Sequence, residues 1–264
     1  MKFGCCTSLW EDTILQVAGV GADYAEVGFS GCLPGRTLEQ IRDRGAQLEE
    51  TGIRVEAMNG FFPGDLRLTG PEADPSAVDR YLEENLPKAA ALGVEVVVFG
   101  SGGARRVPNG FPKEEAFAQL VELGREHIGP ALGAYGITCC LEPLNPLECN
   151  IFTTTEESFE LVRQVDHPNF QLLVDLYHFD MSQEQLSQIP GYRGHLCHTH
   201  IASAKNARQI PMPGDGEDYG SFFQALKDIG YQGRMSLEGN ISQGVPQIGT
   251  SLAYLKDLAR QAGL

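Results

Sequence analysis

Eight short apolar runs, each followed by a polar loop and an amphipathic segment, constrain this chain more than any other feature of it. The runs are Phe3–Ser8, Tyr24–Gly28, Arg54–Asn59, Val94–Phe99, Thr138–Glu142, Gln171–Asp175, Cys197–Ala202 and Arg234–Glu238. Helical spacing falls between them, over Thr37–Glu50, Ser76–Leu92, Glu114–Gly133, Thr155–Val165 and Tyr219–Ile229, with Thr250–Gln261 at the end. Residues 12–21 and Ser182–Ile189 have room only for short helices. Such alternation is βα repetition. Helices are expected to end on glycine just before strands, at Gly93, Gly136 and Gly233, where a residue free to take positive φ is needed. Strands that are apolar along nearly their whole length are covered on both faces, which predicts a parallel sheet wrapped by helices and closed as a (β/α)8 TIM barrel, an α/β fold. An open doubly wound sheet is the rival, but no G-x-G-x-x-G follows the first strand and the eight units look alike. A length of 264 residues suits one such barrel and no low-complexity stretch divides it, so residues 1–264 are read as a single domain.

Composition narrows the partners. Thirty-five Asp and Glu against 20 Lys and Arg leave a formal charge of −15. That charge repels phosphodiester backbones and anionic membranes, whose binding requires a Lys/Arg stripe, so neither nucleic acid nor a membrane is expected as a partner. The seven cysteines, Cys5, Cys6, Cys32, Cys139, Cys140, Cys149 and Cys197, are odd in number and form no C-x-x-C pair, so they are read as reduced and mostly buried. A core of this size needs no metal or disulfide to fold, and a metal here would therefore serve chemistry. The start Met1–Cys6 lacks the apolar stretch of a signal peptide, and no run approaches the ~18 apolar residues of a membrane span. A soluble, cytoplasmic protein is the expectation.

Functional residues of a barrel stand at the C-terminal ends of its strands. Four consecutive runs end on potential ligands: Glu142 in Cys140-Leu141-Glu142-Pro143, Asp175 in Leu173-Val174-Asp175, His200 in His198-Thr199-His200-Ile201, and Glu238 in Ser236-Leu237-Glu238-Gly239. A carboxylate closing an apolar run is costly to bury without a cation or donors. Three carboxylates and one imidazole suit a single hard or borderline divalent ion, Mn2+, Mg2+ or Co2+, with zinc possible and zinc selectivity not indicated. His198 shares a strand face with His200 but lies one layer deeper, where supporting a ligand is the better role. His178, three residues beyond Asp175, begins the following loop within reach of a substrate hydroxyl. Trp10, with Phe61, Phe62 and Phe99, would wall the mouth against water or else join the core. The loop Gly100-Ser101-Gly102-Gly103-Ala104-Arg105-Arg106 reads either as an anion nest followed by two arginines or as a flexible turn. Glu26 and Glu56 also lie near strand ends, but which face each presents is not decided by the sequence, and both stay outside the ligand set.

The strings Leu141-Glu142-Pro143-Leu144-Asn145, Asp175-Leu176-Tyr177-His178, His198-Thr199-His200-Ile201-Ala202, Pro213-Gly214-Asp215-Gly216 and Leu237-Glu238-Gly239 resemble the sugar phosphate isomerase/epimerase family of xylose isomerase-like barrels. That resemblance spans essentially the whole chain and takes in hydroxypyruvate isomerase, ketose 3-epimerases and inosose isomerase. It implies metal ligands at Glu142, Asp175, His200 and Glu238, with Glu142 and Glu238 doubling as acid and base. Endonuclease IV is a remoter relative whose additional histidines have no counterpart here: those places read Met58-Asn59-Gly60, Phe99-Gly100-Ser101 and Pro211-Met212-Pro213-Gly214. In ketose 3-epimerases a substrate-binding Arg stands six residues past the metal His; here that place is Asn206, so the role is expected to pass to Arg208. Barrels of this resemblance often pair into dimers or tetramers, which leaves a homodimer or homotetramer as an open expectation.

The expected function is a divalent-metal-dependent isomerase or epimerase of a small ketose, keto acid or cyclic polyol ketone, working through an enediolate with two glutamates as acid and base. His178, Arg208 and Trp10 are the expected contacts to a carbohydrate-like substrate. Two other readings remain open: a lyase using the same enolising chemistry, for C-glycoside cleavage or dehydration, and a non-catalytic metal- or sugar-binding barrel.

Overall fold

The apolar runs become eight parallel strands: β1 (Lys2–Thr7), β2 (Tyr24–Gly28), β3 (Val55–Asn59), β4 (Val96–Phe99), β5 (Thr138–Leu141), β6 (Phe170–Asp175), β7 (Leu196–Ile201) and β8 (Arg234–Leu237). They pair in chain order and close, with β8 hydrogen-bonded to β1, into a TIM barrel. The structure is a computed structural model and describes residues 1–264. Helices cover the outside, among them Leu38–Glu50, Pro75–Ala91, Thr155–Val165, Tyr219–Asp228 and Val245–Ala262. Thr37 starts the first of these with a reciprocal cap, its hydroxyl accepting from Gln40 N while Gln40 returns a bond to Thr37 N. No helix is long and apolar enough to cross a membrane.

Side-chain alternation along the strands splits the core in two. Outward residues pack under the helices, while Tyr24, Ala57, Val96, Val98, Cys140 and Leu173 fill the barrel itself. Gly4 belongs to that inner layer: a Cβ there would lie 2.6 Å from the Tyr24 ring, so bare backbone on β1 makes room for the aromatic floor. The register then stacks polar residues above this floor. Cys6 lies beside Glu26, Asp175 beside His200, and His200 beside Ser236. Glu56 lies at the opposite, N-terminal end of the barrel, where it pairs with Lys2 and Arg234 at 2.7 Å each.

Several expectations are corrected. The helical interval Glu114–Gly133 is divided by a π turn over Leu123–Ile128, and residues 12–21 form two 3-10 turns, Asp12–Gln16 and Ala18–Val20. The last helix starts at Val245 rather than Thr250, because Pro246 sits at its first turn, where a missing N–H costs nothing. The left-handed glycine before β8 is Gly230 (φ 71°), not Gly233. Cys140 and Cys197 face each other within the barrel, their Cα atoms 6.5 Å apart, and of the other five cysteines all but Cys6 are buried. Finally, the residues after β6 are not a loop: Leu176–Met181 is a short helix capped by Asp175, whose Oδ1 accepts from Tyr177 N at 2.9 Å.

Candidate active site

Glu142, Asp175, His200 and Glu238 leave four neighbouring strands at one rim, and their ligand atoms all lie within 4.8 Å of one another. Asp175 and His200 are wholly buried; the Glu238 side chain is the most open of the set, at 21%. His200 Nδ1 faces Glu142 Oε1 at 3.0 Å and Glu238 Oε2 at 3.2 Å. Asp175 Oδ2 is buried without any hydrogen-bond partner. The electrostatics express the crowding. Burial pushes the Asp175 carboxyl well up and Glu238 and Glu142 push it further; burial and then Glu238 raise Glu142. Glu238 goes the other way, to about 2: burial opposes its ionisation but His200 and Arg208 outweigh that. An orphaned carboxylate oxygen and an imidazole nitrogen turned on carboxylates are what a divalent cation would satisfy, so the donor set fits one.

The surrounding side chains orient this cage. Arg208 Nη2 lies 2.7 Å from Glu238 Oε2 and 3.8 Å from Asp175 Oδ2, and its guanidinium stacks 4.6 Å over the Tyr177 ring. Its backbone and that of Ala207 are left-handed (φ 58° and 52°), held by Asn240 N donating to Arg208 O. Asn206, at the position where the resemblance puts an arginine, is instead tied to Ser203 Oγ and Asp215 O. Asn59, at the end of β3, donates to Glu238 Oε1 and to Cys6 Sγ, both at 3.3 Å. His178 Nδ1 accepts from Asn145 N at 3.1 Å, so Nε2 carries the proton; that atom is buried, has no hydrogen-bond partner and lies 3.6 Å from Asp175 Oδ2. Burial first, and then Arg208, lowers the His178 pKa to about 3, so it is a neutral donor.

Trp10, the mouth aromatics and the glycine loop have contacts of their own. Trp10 is half-buried, its indole N–H donating to Cys32 O at 3.2 Å and one face covered by Arg36 at 4.5 Å. Phe61, Phe62 and Phe99 are buried against one another as core. In the glycine loop the two arginines are engaged by backbone: Arg105 is completely buried and donates to the carbonyls of Phe99 (2.9 Å) and Glu142 (2.8 Å), while Arg106 bonds to Glu148 O. Two carboxylates near the cage were outside the expected set. Glu148 reaches Arg208 at 3.3 Å and Asn145 at 3.0 Å. Glu26, wholly buried, lies 2.9 Å from His200 Nε2 and 2.8 Å from His198 Nε2. His198 is thus the deeper, supporting histidine that its spacing suggests.

The xylose isomerase-like TIM barrel family matches residues 14–258. The chain is 26% identical to the D-psicose 3-epimerase of Ruminiclostridium cellulolyticum, over 99% of this chain and 91% of that enzyme. A crystal structure of D-psicose 3-epimerase with D-tagatose from Clostridium cellulolyticum H10 has a TM-score of 0.82 at 22% identity, covering 99% of both chains. A structure of the IolI protein with a zinc atom has a TM-score of 0.74 at 19% identity, again covering 99% of each. Curated relatives that match are epimerases and isomerases, which makes the chain an enzyme of the isomerase class. It belongs to the xylose isomerase-like TIM barrel family.

Proposed function

We propose that the chain is a divalent-metal-dependent epimerase or isomerase of a small ketose or related keto compound, with Glu142 and Glu238 exchanging the proton beside the carbonyl. The observation that carries this reading is the cage itself: four ligand atoms within 4.8 Å, two of them on glutamates held in opposite electrostatic settings. Paired carboxylates whose environments drive their pKa values apart are a natural acid and base. A divalent cation held by Glu142, Asp175, His200 and Glu238 supplies Lewis-acid polarisation of the substrate carbonyl. Manganese, magnesium and cobalt suit this oxygen-rich set.

The chain's own residues account for the proton. Glu238, kept ionised by His200 and Arg208, takes the proton from the carbon beside the carbonyl. Glu142, whose carboxyl favours the protonated form, returns one to the opposite face of that carbon, inverting it. Return to the adjacent carbon would instead interconvert aldose and ketose. His178 Nε2–H and the Arg208 guanidinium are placed to donate to substrate oxygens. Each glutamate contributes about 10²–10⁴ in rate as a general acid or base.

A panel of ketopentoses and ketohexoses in D2O, with Mn2+, Mg2+ or Co2+ supplied singly, tests the reading. The wild type should place deuterium beside the carbonyl, and Glu142→Gln and Glu238→Gln should each slow that exchange by about 10²–10⁴. Exchange at the wild-type rate in either variant would overturn the assignment.

A further inference from the structure

A third buried carboxylate, Glu26, is used by nothing in the chemistry above, yet it is the best-connected side chain beneath the cage. It sits on β2 at an inward position, with no exposed surface. Oε1 accepts from His200 Nε2 at 2.9 Å. Oε2 accepts from His198 Nε2 at 2.8 Å and from Ser236 Oγ at 2.6 Å, and the Ser236 hydroxyl oxygen lies 2.7 Å from Tyr24 OH. We propose that Glu26 is the positioning residue of the cation site, a carboxylate that bridges two histidines and turns the Nδ1 lone pair of His200 into the cage. This deepens the proposed function and rests on it.

The reasoning is one of donors and acceptors. An ionised carboxylate only accepts, so both imidazoles must present N–H at Nε2, and Nδ1 is the nitrogen of His200 left to bind a cation once its proton is displaced. That nitrogen faces Glu142 Oε1 at 3.0 Å and Glu238 Oε2 at 3.2 Å, so a cation there would take the place of the proton that joins them in the metal-free chain. Histidine ligands are commonly held this way, by a carboxylate on the ring nitrogen away from the ion. A network serving only the barrel floor would close on itself. This one leaves His198 Nδ1 without a partner and reaches the rim through His200.

Glutamine in place of Glu26 keeps the shape but offers one acceptor and one donor, so it cannot accept from both histidines. The test uses the metal-free chain and Co2+ alone, read by calorimetry and by the visible absorption of the bound ion, with 1H–15N spectra reporting the histidine tautomers. Glu26→Gln should weaken Co2+ binding by about 10–100-fold, change the Co2+ absorption, and shift His200 away from a single Nε2–H form. His200→Ala, run in parallel, should abolish Co2+ binding. Wild-type affinity and absorption in a folded Glu26→Gln chain, with binding lost in His200→Ala, would overturn this inference and leave the proposed function standing. Full Co2+ stoichiometry in His200→Ala would overturn the cage and the inference together. Should Glu26→Gln fail to fold, Ser236→Ala removes one donor to Glu26 and should weaken Co2+ by about two- to tenfold, the worth of one hydrogen bond; unchanged affinity there counts against the inference.

Discussion

Gly100 shows how little room the cage has. A Cβ on it would collide with Glu142 Oε2, so the carboxylate keeps its place only because that residue has no side chain. Gly100→Ala should therefore displace Glu142 while leaving the fold intact, lowering kcat by about 10² for a shift on the order of 1 Å. A variant with wild-type kcat would show that the carboxylate has slack to move. His178 makes a different prediction. Its folded pKa of about 3 lies below the 6.5 of a free imidazole, so between those values the unfolded chain binds one more proton than the folded one. Stability is then fully present above pH 6.5 and is lost as pH falls towards 3. His178→Gln removes that term: its urea midpoint, measured without metal, should drop less between pH 7 and pH 5 than the wild type's, and equal drops would contradict the assignment.

At the scale of elements, Arg105 ties the ends of β4 and β5 together. Its guanidinium satisfies two buried carbonyls, Phe99 O and Glu142 O, and lies between the rings of Phe99 (5.7 Å) and Phe152 (5.5 Å). Arg105→Met leaves both carbonyls unpaired at about 1–3 kcal/mol each. For a chain of this size that lowers Tm by roughly 5–15 °C, and catalysis should fall too because Glu142 is anchored at that carbonyl. A Tm within about 2 °C of wild type would refute the strap. Nothing in the sequence separates Arg105 from Arg106, adjacent residues of which one is fully buried and the other exposed. The same limit hid Glu26. Tyr24-Ala25-Glu26-Val27 is buried throughout, so no polar alternation reveals which face Glu26 takes, and only its pairing shows that it stands beneath the cage while Glu56 lies with Lys2 and Arg234 at the other end of the barrel. Strand number and order were legible because apolar runs and helical spacing repeat, and the cage was legible because four runs end on ionisable groups. Leu176–Met181 was not, being too short to show periodicity and capped by a residue that reads as a ligand.

For the molecule as a whole, the formal charge is −15, and its sharpest conflict lies inside one rim. There three carboxylates and His200 Nδ1 crowd together, with Asp175 pushed towards protonation by burial, Glu238 and Glu142, and Glu142 by burial and Glu238. A cation bound by this cage exists only in the folded chain, because the four ligands lie far apart in sequence and meet only through barrel closure. Binding must therefore stabilise the fold by about 2.7 kcal/mol at one hundred times Kd, a rise in Tm of roughly 5–10 °C. The direction with pH follows from the same groups. Protons and the cation compete for Asp175 and Glu142, whose carboxyls are raised, so the rise should be larger at pH 8 than at pH 5.5. Scanning calorimetry of wild type and His200→Ala, each with EDTA and with Mn2+, separates this site from the many surface acids. If Mn2+ lifts both chains equally, the ion is held elsewhere on an acidic surface and the rim is not its site; if only the wild type responds, barrel closure and cation binding are one coupled event.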